Sequence, residues 1–100
     1  VNGDGDTSLI LAACKGHITV VRFLVEEGKA KVNARGRGGV TAVAAACKDE
    51  EHTDVVRYLV SEARCDPCAP DKMSRTTPFM RAAENSHLNT ARYLMESGCV

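Results

Sequence analysis

The chain has 100 residues, 44% of them hydrophobic, and its 13 basic and 13 acidic side chains cancel to a formal net charge of zero. This composition suits one small folded unit, and the neutral balance provides no general attraction for nucleic acid or an anionic membrane. The longest apolar run extends only from Leu9 to Cys14, whereas a helix that spans a bilayer needs about 20 apolar residues. Because aromatic residues make up 4% of the chain and Trp is absent, the core must consist mainly of Ala, Val and Leu.

The first helix of each structural unit is predicted to begin after a threonine. Thr7, Thr41 and Thr77 precede short Ala-rich segments, and a Thr hydroxyl accepts a hydrogen bond from the free amides of a first helical turn. Pro78 fits the next position, since the amide there has no helical partner. Gly16 then ends the first of these helices, because glycine adopts the left-handed conformation without strain.

The second helix of each unit is predicted to carry most of the core. In the first unit Val20, Val21, Phe23 and Leu24 fall on one side at helical spacing. Each buried Val or Leu contributes roughly 1.5 to 3 kcal/mol. The second helices should therefore form the main apolar layer.

A pattern of residues occurs three times, at 16–24, 51–59 and 86–94, and its histidines, His17, His52 and His87, define a period of 35 residues. A fixed period in this range indicates stacked units, each too small to bury its own apolar face. We therefore predict an all-α repeat solenoid that forms one domain over residues 1–100. Its units are approximately 1–33, 34–68 and 69–100, and we expect the chain to be part of a longer array or protein.

The arginines of this pattern also recur in register, as Arg22, Arg57 and Arg92. We interpret them as a solvated outer face with weak ion pairs, such as Arg22 with Glu26. The three histidines lie about 10 Å apart in packed layers, which is too far for shared metal ligation. We therefore interpret both rows as structural.

The units differ in length at three places. The turn at 49–51 has an extra residue and lacks glycine, so it should be longer and more strained than the other turns. The loop around Met73 and Ser74 has a second extra residue, and Lys29 and Arg64 are extra at the ends of second helices. These insertions fall between helices, so they should leave the architecture intact.

These residues resemble the ankyrin repeat over essentially the whole chain. In the first unit the match comprises Gly5, Thr7, Leu9, the pair Ala12-Ala13, the Gly16-His17 turn, the pair Val20-Val21 and the exit Val32-Asn33. The resemblance implies about three stacked helix-turn-helix units with projecting hairpin loops, in which the histidine steadies the turn by hydrogen bonding. It also implies a scaffold or regulatory module without enzymatic activity, catalytic residues or a cofactor.

The resemblance further implies that a partner protein binds to the hairpin tips and to the exposed side of the first helices, which together form a concave face. The corresponding first-helix positions in this chain are Leu11, Lys15, Lys48, Arg81 and Glu84. The corresponding loop positions are Arg35, Arg37, Lys72, Met73 and Arg75.

The charges of these loops suggest the chemistry of the partner. Our hypothesis is that the second and third loops bind an acidic or phosphorylated segment, to which Arg35 and Arg37 offer bidentate contacts. Equally, these arginines could serve only to keep a Gly-rich hairpin soluble. In either case we expect a monomer that binds protein but neither nucleic acid nor a membrane.

The alternative function is a metal- or redox-sensing segment centred on Cys65 and Cys68. Two thiolates at this spacing can bind zinc or form a disulfide, but no second Cys pair or nearby His completes a zinc site. In the repeat register these cysteines occupy positions at a hairpin base, where small residues also fit. An odd number of cysteines, five, favours an intracellular protein, cytoplasmic or nuclear, and we predict no metal site.

Overall fold

The computed structural model describes residues 8–28, 31–48, 50–73 and 75–98. Within these ranges it contains six α-helices and no strand. A π-helical turn, Tyr58–Glu62, continues the fourth helix, and a short 3-10 turn, Arg37–Gly39, lies in the second loop. The helices are α1 Ser8–Lys15, α2 Ile18–Glu26, α3 Ala42–Ala46, α4 Thr53–Arg57, α5 Pro78–Glu84 and α6 Leu88–Glu96.

The helices form two layers, as the repeat period predicts. The first helices pack in the order α1, α3, α5, and the second helices pack in the order α2, α4, α6. All five residues of α3, Ala42–Ala46, are buried. Their small side chains allow α1 and α5 to approach α3 closely from both sides. The all-α solenoid predicted from the sequence is therefore confirmed.

Two of the three predicted threonine caps lie in the described residues, and both are confirmed. The Thr41 hydroxyl accepts a hydrogen bond from the Ala44 amide at 3.2 Å, and the Thr77 hydroxyl accepts one from the Met80 amide at 3.2 Å. Both threonines have extended backbone angles, as an N-cap residue requires. Thr7, the third predicted cap, lies outside the described residues.

The three turns between first and second helices have two different backbone conformations. Gly16 has φ +74° and Ser86 has φ +61°, so both adopt the left-handed conformation that ends a helix. Glycine is required at position 16, because a Cβ there would lie 2.3 Å from the His52 ring. The longer turn of the second unit has no positive φ among its described residues. The strain predicted for it is therefore not observed in that part of the turn.

The longer turn instead contributes a contact to the next unit. The Glu51 carboxylate accepts hydrogen bonds from the amides of Asn89, at 2.9 Å, and Thr90, at 3.3 Å. These amides belong to the first turn of α6, where the helix dipole favours a negative charge. The inserted segment thus brings an acidic cap to the last helix.

The other insertions are accommodated at the ends of second helices and in the third loop. The π-helical turn takes up extra length in the second unit, since π turns commonly arise from one additional residue. Arg64 follows with φ +60°. The Gly36 amide donates to the Val40 carbonyl across the second loop, and the Asp71 amide donates to the Thr76 carbonyl across the third loop. The third hairpin is therefore one residue longer, as predicted. Lys29 lies outside the described residues.

Burial in the second helices corrects one prediction. Val21 is the only fully buried residue of α2, and Leu24 is half-buried. Val20 is 46% exposed and Phe23 is 61% exposed. The prediction that the second helix carries most of the core was wrong for the first unit, because helical spacing identifies an apolar side but not the neighbour needed to cover it; there α1 buries four residues and α2 one.

Candidate protein-binding face

An open groove lies between the first helices, on the side away from the second helices. Its volume is about 210 Å³, which is enough for one large apolar side chain rather than for a substrate with several groups. Leu11 is 41% exposed and forms part of its wall. The lining residues are Ile10, Leu11, Cys14, Val40, Ala44, Ala45, Lys48 and Arg81.

The sequence of α3 explains why the groove exists. Ala44 and Ala45 contribute only methyl groups at the positions beside Leu11, so the apolar surface of α1 is not filled in from the neighbouring helix. Ile10, Val40, Ala44 and Ala45 were not among the predicted partner-binding residues. The run of alanines was the signal in the sequence that could have identified them.

The edge of the groove is basic. Lys48 lines it, and Lys15 follows at the end of α1. Both lysines are exposed, and neither lies within 4 Å of a carboxylate in the described part of the chain. Their charges are therefore available to a partner. Glu84, also predicted as a contact, is exposed on α5 but does not line the groove.

Arg81 differs from its prediction as an exposed first-helix position. Its side chain is only 19% exposed, and its guanidinium forms an ion pair with the Asp71 carboxylate, which is almost completely buried. Asp71 also accepts a hydrogen bond from the Thr76 amide at 3.4 Å. Arg81 thus anchors the third hairpin to α5, and Asp71 neutralises its charge. The expectation of an exposed side chain was wrong because Asp71, ten positions earlier, draws the guanidinium onto the third hairpin, and no helical offset indicates this partner.

Arg35 connects the second and third loops. Its Nη1 donates hydrogen bonds to the Gly39 carbonyl and to the Pro70 carbonyl, both at 2.7 Å. One guanidinium nitrogen is therefore used within the chain, while the residue as a whole stays exposed. The positive charge remains on the surface, but its position is fixed by the two loops.

Backbone contacts hold the tips of the same two loops together. The amides of Lys72 and Met73 both donate to the Gly38 carbonyl, at 3.1 and 3.3 Å. Gly39 has φ +79°, and a Cβ there would lie 2.7 Å from the Lys72 amide nitrogen. Glycine at position 39 is therefore required for the loops to meet.

Three of the predicted site residues lie on the third loop. Lys72 is exposed, and Met73 is 82% exposed. Arg75 is also exposed and has φ +58°, a backbone conformation that costs a non-glycine residue about 1 kcal/mol or more. For Arg37 the backbone lies in the 3-10 turn, while its side chain lies outside the described part of the structure.

The cysteines do not form the pair that the alternative function requires. Cys65 is a free, buried thiol, and its Sγ donates to the Val32 carbonyl at 3.2 Å. Burial raises the pKa of Cys65 to about 11, which disfavours the thiolate that a metal or a disulfide exchange needs. Cys68 is disulfide-bonded, but not to Cys65. Burial likewise raises the pKa of Cys47 to about 12, although Arg81 opposes this shift.

The histidines act through packing and backbone contacts. The His17 amide donates to Ala12 and the His87 amide donates to Ala82, so the backbone closes both turns. None of the three side chains caps its helix, and the buried Nε2 atoms of His52 and His87 have no hydrogen-bond partner among the described residues. The side-chain hydrogen bonding implied by the resemblance is therefore not observed in the described part of the chain. In the described ranges, no group of three or more His, Cys, Asp or Glu side chains could hold a metal ion.

The comparison with known families agrees with this architecture. The family model for ankyrin repeats, in three copies, matches residues 1–71 and 32–100, so the chain belongs to the ankyrin repeat family. Ankyrin repeats are generally protein–protein interaction modules and typically have no enzymatic activity. No curated protein matches the chain. No helix among the described residues is both long and apolar enough to cross a membrane.

Proposed function

We propose that this chain is a non-catalytic binding module that holds an acidic segment of another protein against its first helices and hairpin tips. The observation that carries this proposal is the groove between α1 and α3, which combines an apolar wall with two lysines that form no ion pair with any carboxylate of the described residues. An apolar side chain of the partner would enter beside Leu11. Its neighbouring carboxylates or phosphates would meet Lys15 and Lys48.

The distribution of charge favours the two groove lysines over Arg81 and the loop arginine Arg35 as the centre of binding. Arg81 is neutralised by Asp71, and Arg35 uses one nitrogen for the loop contacts. A residue that must first give up such bonds gains less from a partner. Lys48 has no such commitment in the described residues. We therefore assign the hot spot to Leu11 and Lys48, and a supporting electrostatic role to the loops.

The loops extend the same surface. Because Lys72 and Met73 are bonded to Gly38, the two hairpin tips form one preorganised edge rather than two independent loops, which lowers the ordering cost of binding. The intracellular location, cytoplasmic or nuclear, stays a prediction from the odd number of cysteines, five; the disulfide-bonded Cys68 is more typical of an oxidising compartment.

The test uses affinity capture followed by a quantitative binding measurement with each purified candidate partner. Leu11→Glu and Lys48→Glu should each weaken binding at least tenfold, because each removes a central contact and places a negative charge near the acidic segment. The matched control is Lys31→Glu, which makes the same change of charge at an exposed position after α2. The control should alter affinity less than twofold.

Two results would contradict the proposal. Equal weakening by Lys48→Glu and Lys31→Glu would mean that only net charge matters. Unchanged affinity in both groove variants would place the contact elsewhere on the chain. Leu11 and Lys48 are both exposed, so both variants should fold. Circular dichroism of each variant checks that a loss of binding is not caused by a loss of folding.

A further inference from the structure

A polar groove lies between α4 and α6, the second helices of the last two units. Its volume is about 330 Å³, at the small end of the range for sites that bind small molecules. Because both helices belong to this chain, the groove is a feature of two stacked units and not of an end of the stack. Its lining consists of Thr53, Arg57, Asn89, Arg92, Tyr93 and Glu96.

The two arginines of this groove come from the two helices. Arg57 and Arg92 are both exposed, and neither lies within 4 Å of a carboxylate in the described residues. The Arg57 guanidinium lies 5.1 Å from the centre of the Tyr93 ring, a distance that suits a cation–π interaction. Glu96 also lines the groove, so the lining carries two positive charges and one negative charge.

The preceding pair of second helices, α2 and α4, shows what balances such an arginine. The Arg22 guanidinium lies 5.4 Å from the centre of the Tyr58 ring, in the same arrangement as Arg57 and Tyr93. Glu26 Oε2 accepts a hydrogen bond from the Tyr58 hydroxyl at 2.9 Å and lies 3.8 Å from Arg22 Nε. One carboxylate of the chain therefore contacts both the arginine and the tyrosine hydroxyl.

The groove between α4 and α6 has no equivalent carboxylate. Ser61 follows Arg57 by four residues, as Glu26 follows Arg22. Its hydroxyl donates to the Arg57 carbonyl at 2.6 Å. The Tyr93 hydroxyl makes no hydrogen bond within the described part of the chain. The arginine and the tyrosine are thus paired as in the preceding helices, but the chain supplies no anion to them.

The other polar groups of the groove are already bonded within the chain. The Thr53 hydroxyl shares a hydrogen bond with the Thr90 hydroxyl at 2.9 Å. The main-chain and side-chain amides of Asn89 both donate to the Glu51 carboxylate, at 2.9 and 3.3 Å. These residues therefore shape the walls, while the two arginines and the tyrosine hydroxyl remain as donors for a ligand.

We propose that the groove between α4 and α6 binds a phosphate monoester, whose oxygens accept hydrogen bonds from Arg57, Arg92 and the Tyr93 hydroxyl. Two guanidinium groups present several N–H donors in a geometry that matches phosphate oxygens. The volume leaves room for the organic group that carries the phosphate. This site is separate from the groove at Leu11 and Lys48, and it does not depend on the function proposed for that groove.

The test is an NMR titration of the isotope-labelled chain with inorganic phosphate and, separately, with O-phosphoserine. Both should shift the signals of Arg57, Arg92 and Tyr93, with a Kd of about 1 to 10 mM, as a few charge-assisted hydrogen bonds at an open site would give. Sodium chloride at the same ionic strength is the control for screening and should leave these signals in place.

Four variants locate the site. Arg57→Gln should weaken binding at least fivefold, whereas the matched control Arg22→Gln should change it less than twofold, because Glu26 already balances Arg22. Ser61→Glu should also weaken binding at least fivefold, since it offers Arg57 a carboxylate of the chain. Glu96→Gln should tighten binding about two- to threefold by removing a negative charge from the lining. All four side chains are exposed, so these variants should fold.

Other outcomes overturn the proposal. No shift with either compound up to about 50 mM would mean that the groove does not bind phosphate. Binding of inorganic phosphate without binding of O-phosphoserine would exclude a monoester. Equal weakening by Arg57→Gln and Arg22→Gln, or the same shifts with sodium chloride, would show an effect of general charge. The titrations contain no partner protein, so their failure leaves the proposal for Leu11 and Lys48 unaffected.

Discussion

The middle and last units share one sequence pattern but are buried very differently. Every residue of α3 is buried, whereas α5 buries only Pro78 and Ala82. The difference arises because α3 has a first helix on each side, α1 and α5. Equivalent residues therefore contribute different free energies, and their contributions depend on neighbouring units rather than on local sequence.

The largest expected effect compares Leu59 with Leu24, which occupy the same place in the pattern. Leu59 is fully buried and Leu24 is half-buried. Leu59→Ala should lower the free energy of unfolding by about 3 kcal/mol, and Leu24→Ala by about 1 kcal/mol, because only the first leaves a closed cavity. Urea denaturation measures both values. Equal losses would contradict the dependence on neighbours.

The next effect concerns the third hairpin, which differs from the second by its ion pair. Asp71→Asn should lower the free energy of unfolding by about 2 to 3 kcal/mol, since it leaves the largely buried Arg81 guanidinium without its counter-charge. Asp66→Asn is the matched control, because Asp66 is exposed and its Oδ1 accepts from the Cys68 amide, as an asparagine oxygen also can. Similar losses in urea denaturation would show that Asp71 adds nothing through its pairing with Arg81.

The two left-handed turns should respond in opposite directions. Gly16→Ala should destabilise the protein by about 2 kcal/mol, because an alanine is strained in the left-handed backbone conformation and its Cβ would collide with the His52 ring. Ser86→Gly should stabilise it by up to about 1 kcal/mol, because it removes the strain at φ +61°. Thermal and urea denaturation check both. A destabilised Ser86→Gly variant would mean that the serine side chain contributes more than its backbone strain costs.

The smallest effect tests the cap that the second turn provides to α6. Glu51→Gln should lower the free energy of unfolding by about 0.5 kcal/mol, because an exposed charge near a helix N-terminus is worth little more. Glu50→Gln is the control, since Glu50 is exposed next to it and makes no described hydrogen bond. The loss should shrink in high salt. A loss that salt does not change would rule out the electrostatic explanation.

Local features of the fold could be predicted from the sequence. Thr41, Thr77 and Gly16 were identified correctly because capping and left-handed turns depend on residues within one helical turn. The longer third hairpin followed directly from residue spacing. The predicted pair of Arg22 with Glu26 is also confirmed, at 3.8 Å between exposed side chains, because it depends on a fixed helical offset.

Contacts between units were not predicted because no local offset specifies them. The Glu51 cap depends on the stacking of the second unit against the third. The buried pairing of Arg81 with Asp71 lies within the third unit, but it depends on the length and course of its loop. The contact of Arg22 with Tyr58 had a signal, since an arginine precedes an aromatic residue in all three copies. Recognising it requires knowing that consecutive units place these two positions together. The binding residues themselves remain predictions, and the groove refines which of them we expect to matter most.

The most direct test of the dependence on neighbours is amide hydrogen exchange at single-residue resolution. Amides of Ala45, Val56 and Leu59 in the middle unit should exchange most slowly and open only on global unfolding. Equivalent amides in α2 and α6 should exchange faster, because α2 buries one side chain and α6 two, whereas α4 and its π-helical continuation together bury four. Equal protection in all three units, or slower exchange in α2 or α6 than in α4, would contradict this account.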